Sequence, residues 1–170
     1  QECIQFDNCY ANSFPTMPMR ADLFTGKLTF TYLGWRSLPP EETILAELLR
    51  RAGYTTLAVV DTPFFVRNGY GYDRGFNDYQ WILGQGAAVQ GKERERITSE
   101  RRYEEDHCAP RTMTAAEKYL VYYYKEKFFL YVDTWDPHEP WDPPVWFVEP
   151  YLAEYDGRDV PPCYGKYKER

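Results

Sequence analysis

A helix that turns straight back into a buried strand is written twice in this chain, and that pairing limits the fold more than any other feature. Residues 39–60 open on Pro39-Pro40-Glu41-Glu42. Prolines and acids suit a first helical turn, where the proline N–H is not needed and negative charge meets the positive end of the dipole. Ile44, Leu45, Leu48, Leu49 and Ala52 recur at helical spacing, and Gly53 closes the run. Thr55 to Val60 is then β-branched and apolar without alternation, the pattern of a strand covered on both faces. Residues 112–132 repeat the unit: a helix from Thr112 or Thr114 to Lys127, with Thr114 and Glu117 at capping-box spacing, then the apolar strand Phe128 to Val132. Alternating helix and strand predicts an α/β fold, part of a doubly wound, mostly parallel sheet with helices on both faces. The 170 residues suffice for one domain with a core, and 44% hydrophobic with 18% aromatic content excludes a disordered chain.

The residues that carry chemistry stand ahead of the first unit, in Thr16-Met17-Pro18-Met19-Arg20-Ala21-Asp22-Leu23-Phe24-Thr25-Gly26. Pro15 fixes the entering chain and Pro18 fits only a first helical turn, so Thr16 is the expected N-cap and Gly26 the expected stop. A helix N-terminus offers unpaired N–H donors and partial positive charge, so a hydroxyl there faces a site for a tetrahedral anion. Arg20, one turn along, can add a bidentate hydrogen bond to sulfate or phosphate oxygens. On spacing alone the same residues are ordinary helix punctuation.

The stretch resembles the nucleophile signature of the sulfatase branch of the alkaline phosphatase superfamily: Cys or Ser, any residue, Pro, any residue, Arg, then Leu and Thr-Gly. Pro18, Arg20, Leu23, Thr25 and Gly26 are in register, and Thr16 stands where the family has Cys or Ser. Sulfatases oxidise that Cys or Ser to a formylglycine; a Thr carries an extra methyl and cannot yield the aldehyde. Phosphodiesterases of the superfamily use an unmodified Thr held by metal, so the resemblance implies Thr16 as both nucleophile and metal ligand. It also implies a divalent metal (Ca, Mn or Zn) in the complete protein, one that this chain alone does not fully coordinate.

A second departure follows the first strand. The family's Lys-x-His pair falls on Asp61 and Pro63, and an acid and an imino acid cannot replace two cationic donors. Gly69 to Tyr79 resembles the loop where the family places a Gly-Phe, although its residues alone read as an aromatic-rich surface loop. After Val132 comes a loop that looks like the family's His-x-Pro element, which implies that His138 contacts the transferred group. Asp133, Asp136, His138 and Asp142 also lie close enough in sequence to suggest a metal site, although no known ligand spacing appears.

The mixed charge runs Lys92 to Arg96 and Glu100 to Asp106 suit a solvated helix or surface excursion. A net charge of −6 without a basic face excludes nucleic-acid backbone binding, and no apolar run reaches membrane-spanning length. Cys3, Cys9, Cys108 and Cys163 show no CxxC spacing and leave thiols and bridges equally open, and with them the compartment. By the resemblance, the chain opens inside the family's second strand, Cys3 to Tyr10, and ends in the loop Val160 to Arg170. Residues 1–170 therefore read as a single partial α/β catalytic domain, a fragment of a larger hydrolase. The expected activity is metal-dependent hydrolysis of a small-molecule or glycan sulfate or phosphate ester through Thr16, with Arg20 stabilising charge and His138 binding substrate. The competing expectation is a non-catalytic binding or scaffolding relic of the same fold.

Overall fold

The computed structural model describes residues 4–62, 69–83, 100–138, 143–152 and 155. Its elements run α1 (Thr16–Thr25), α2 (Leu45–Arg51), β1 (Thr55–Val60), β2 (Asp78–Trp81), α3 (Cys108–Tyr123), β3 (Phe128–Asp133) and α4 (Val145–Val148). The strands form one all-parallel sheet in the order β2-β1-β3, with Thr55 opposite Phe128 and Val60 opposite Asp133. The central strand β1 is the apolar run, and Thr56 to Val60 are all buried. Period-2 alternation sends Ala58, Val60, Phe129 and Tyr131 toward α1 and α2, and Val59, Leu130 and Val132 toward α3. The α/β fold with helices on both faces is thus the one the sequence predicts. No helix among the described residues is long and apolar enough to cross a membrane.

Helix boundaries differ from the sequence expectation for local reasons. In α1 the N-cap is Pro15, not Thr16: the Met19 N–H donates to Pro15 O (3.3 Å), which makes Thr16 the first helical residue. Gly26 does end the helix, at φ 70°, with its N–H on Asp22 O (2.8 Å). The prolines at 39 and 40 open no helix. They form a turn whose carbonyls are taken by Arg74, at 3.1 Å (Pro39), 2.9 Å (Pro40) and 2.8 Å (Glu42). The helix begins only at Leu45, where the Glu47 carboxylate accepts the Ile44 N–H. Helix α3 starts at Cys108, with Pro110 in its first turn, so Thr114 and Glu117 lie inside it and form no capping box.

Residues 4–10 form no strand and are exposed, contrary to the family register. The 69–79 segment is not a surface loop. Tyr72 and Phe76 are buried against α1, and Gly75, at φ 77°, lies so close to α2 that a Cβ there would stand 2.4 Å from Glu47 N. Cys3, Pro63, Lys92 to Arg96, Asp142, and Val160 to Arg170 with Cys163 lie outside the described residues.

Candidate active site

Strand ends build the site. Asp133 closes β3 and Thr62 lies just past β1, both on the α1 face of the sheet. There Arg20 meets Asp133 as a fork, Nε to Oδ2 and Nη2 to Oδ1 at 2.5 Å each. The other acceptor positions of Asp133 are filled by Thr62 Oγ1 (2.6 Å) and the Tyr131 hydroxyl (2.6 Å). Burial opposes charge on the Arg20 guanidinium, but the hydrogen bond and attraction from Asp133 outweigh it and raise its pKa. Burial, with the Asp133 charge, pushes Tyr131 well above the ordinary phenol range, so its hydroxyl stays a donor. Arg20 also donates through Nη1 to Thr16 O (3.2 Å), which ties the first turn of α1 to the sheet edge. Thr16 is partly exposed, and no hydrogen bond of its Oγ1 is found among the described residues.

Arg20 is therefore committed. To grip a sulfate bidentately it would have to release Asp133, a carboxylate only 6% exposed. A second acid steadies the same helix: Asp22 accepts Thr29 N (2.6 Å), Thr29 Oγ1 (2.7 Å) and the Ser13 hydroxyl. Burial works against the Asp22 charge, but these hydrogen bonds prevail and hold its pKa below the usual value.

Asp61 stands on the opposite face. It is 1% exposed and accepts Thr112 Oγ1 from α3 (2.7 Å) and the Trp135 N–H from the loop after β3 (2.6 Å). The residue at the family's lysine position is here a clamp that fixes the His138 loop. His138 donates its N–H to Trp135 O (3.0 Å) and stacks on the Trp135 ring, centroids 3.9 Å apart. Burial raises the Asp61 pKa, its hydrogen bonds only partly offset this, and Asp136 adds repulsion. A raised folded value means that the stability Asp61 contributes is full below the unfolded carboxylate pKa and is lost as pH rises through the folded one. Asp61→Asn keeps an acceptor for Trp135 N–H and offers an amide donor to Thr112 Oγ1. Its urea midpoint relative to wild type should climb between acid and neutral pH, whereas Asp61→Ala, which leaves the Thr112 hydroxyl and the Trp135 N–H without this acceptor, should fall about 1–3 kcal/mol below wild type at acid pH and by less at neutral pH, since it too removes the titrating group. A pH-independent difference for Asp61→Asn would contradict the assignment.

His138 lines a cleft of about 310 Å³ together with Asp136, His107, Glu104 and Phe147, at the start of α3; Thr16 and Arg20 do not line it. Cys108 borders it as a buried thiol that burial, then the charge of Asp61, pushes up to about 11. The sequence groups Asp133, Asp136 and His138, but the structure separates them: Asp133 turns to Arg20, and Asp136 and His138 turn to the cleft. Among the described residues no group of three His, Cys, Asp or Glu side chains is placed to hold a metal ion. The oxygens of Asp133 and Asp61 are already engaged. The described residues do not fit a divalent cation.

The family profile for sulfatases matches residues 1–167. The chain belongs to the sulfatase family. No curated protein matches it. Among solved structures, the sulfatase-family chain is similar to the one reported as the crystal structure of Ps i-CgsB in complex with k-i-k-neocarrahexaose. The identity is 20% and the TM-score 0.48, covering 74% of this chain. The match takes in 35% of that other chain, so this chain spans about a third of its length. Sequence reading singled out Asp61 and Asp133 in other roles, without their partners Thr112 and Arg20, and did not single out Thr62. The available signal was an acid placed directly after each apolar strand, where a buried charge needs a partner.

Proposed function

We propose that this chain supplies the nucleophile side of a sulfate or phosphate ester hydrolase, with Thr16 as the attacking group. One observation supports this most: Thr16 occupies the first turn of α1, and Arg20 locks that turn onto Asp133 at the C-terminal edge of a parallel sheet. Thr16 Oγ1 bonds to the sulfur or phosphorus and the ester oxygen leaves, taking up the proton that Thr16 loses. Water then releases sulfate or phosphate and restores the hydroxyl. Of the first turn, the N–H groups of Thr16 and Met17 are left for the charge that builds on the transferred group, since Pro18 has none and that of Met19 goes to Pro15 O. Arg20 fixes that turn in place. His138 is assigned to the leaving-group side as hydrogen-bond donor by the resemblance, although it lines a cleft that Thr16 does not. The divalent cation implied by the resemblance is assigned to ligands outside the described residues.

A second reading, a non-catalytic binding relic, is favoured by the commitment of Arg20 to Asp133 and by the missing donor group among the described residues. Rapid acid quench of the protein made from its whole reading frame, mixed with an aryl sulfate or aryl phosphate, separates the two. The proposal expects the mass of a sulfuryl or phosphoryl group on the peptide that contains Thr16. Binding without turnover, or an adduct on another residue, would overturn it.

A further inference from the structure

The segment that leads into Thr16 is fastened to the fold at Ser13. Of residues 4–15, Ser13 alone is not exposed, and Phe14, which follows it, is 89% exposed. Among the described residues, the bond from the Ser13 hydroxyl to Asp22 Oδ2 is the one side-chain hydrogen bond that joins this segment to the rest of the chain. Asp22 is a firm point to hold. It is buried in α1, and its other oxygen accepts the N–H and the hydroxyl of Thr29, at 2.6 Å and 2.7 Å. Thr29 is buried in turn, brought back beside the helix by the turn at Gly26. A carboxylate bound from both sides has its rotamer fixed, so it can orient what it holds.

We infer that Ser13 and Asp22 are a positioning pair for the nucleophile, aiming Thr16 from the upstream side; this rests on the hydrolase reading above. Thr16 lies between two anchors. Arg20 holds its carbonyl and, through Asp133, ties it to the sheet edge. That bond fixes the peptide after Thr16 and leaves open the peptide before it. The Pro15–Thr16 plane carries both the Thr16 N–H and the Pro15 carbonyl that accepts from Met19 at 3.3 Å. Only Phe14 and Pro15 separate Ser13 from Thr16, so the Ser13 anchor governs that plane. With the plane goes the bearing of Thr16 Oγ1 and of the N–H beside it. Neither Ser13 nor Asp22 lines the cleft beside His138. Losing their bond therefore disturbs the line of attack and leaves leaving-group binding in place, an effect on kcat and not on KM.

The test compares wild type, Ser13→Ala and Ser13→Thr, each made from the whole reading frame, by turnover of an aryl sulfate and an aryl phosphate and by amide hydrogen exchange. Ser13→Ala should lower kcat by about ten- to a hundredfold, the scale of a small misplacement, with KM within about twofold of wild type. Ser13→Thr keeps the hydroxyl and should restore most of the rate. Exchange of the Met19 amide, which bonds to Pro15 O, should quicken about tenfold in Ser13→Ala. The Gly26 amide at the far end of the same helix should exchange as in wild type. An unchanged kcat in Ser13→Ala, a loss shared equally between kcat and KM, or a Ser13→Thr rate as low as that of Ser13→Ala would overturn the inference. So would unchanged exchange at Met19, whatever the turnover. The hydrolase reading fails separately, if wild type cleaves neither ester while Met19 exchange still quickens in Ser13→Ala; the anchor would then stand as a feature of the fold alone.

Discussion

Arg20→Met should lower stability by about 3–5 kcal/mol, the loss expected when one partner of a buried ion pair is removed. Methionine keeps most of the length and apolar volume of the stem, so the loss reports on the charge rather than on a cavity. It strands Asp133, which is buried and, among the described residues, retains only the hydroxyls of Thr62 and Tyr131 as side-chain partners. It also removes the side-chain donor to the carbonyl of Thr16 and detaches the first turn of α1 from the sheet edge. The double variant Arg20→Met with Asp133→Leu should recover much of the loss, because replacing both members of a buried pair by apolar groups removes the stranded charge. Urea unfolding of the protein made from its whole reading frame would give both values. An Arg20→Met midpoint equal to wild type would mean that the fork does not hold α1 in place.

The sequence was most legible where local pattern and burial agree. The β-branched run Thr55–Val60 is β1 to the residue, and the strand begun at Phe128 runs only one residue further than expected, to Asp133. Both strands are apolar enough that no other burial satisfies them. Helix starts were less legible, because local and distant partners decided them together. The turn at Pro39 is held open by Arg74, more than thirty residues away. The start of α3 at Cys108 rests on a proline in its first turn, and Thr112 within it is drawn inward by Asp61, 51 positions earlier. The site shows the same division. Thr16 and Arg20 share a turn and were readable together, whereas the acceptor of Arg20 lies 113 residues on. A fork between a helix and a strand end leaves no periodic trace in either segment.

Loss of the Thr16 hydroxyl should have the largest effect on activity. Removing a nucleophile that forms a covalent intermediate lowers turnover by about a thousandfold or more, the remainder coming from binding and from donors left in place. The fold should not suffer. Thr16 Oγ1 caps nothing, since Pro15 holds the N-cap position, and its side chain is partly exposed. A stability change within about 0.5 kcal/mol is expected, and alanine suits a helical position at least as well as threonine. Thr16→Ser should keep a measurable rate, because it preserves the hydroxyl and drops only the methyl. The most direct measurement is therefore kcat/KM of wild type, Thr16→Ser and Thr16→Ala, made from the whole reading frame, on an aryl sulfate and an aryl phosphate, with thermal unfolding recorded on the same samples. Turnover is expected in the first two and a loss of about a thousandfold or more in Thr16→Ala at unchanged unfolding temperature; an undiminished rate in Thr16→Ala would rule out Thr16 as the nucleophile.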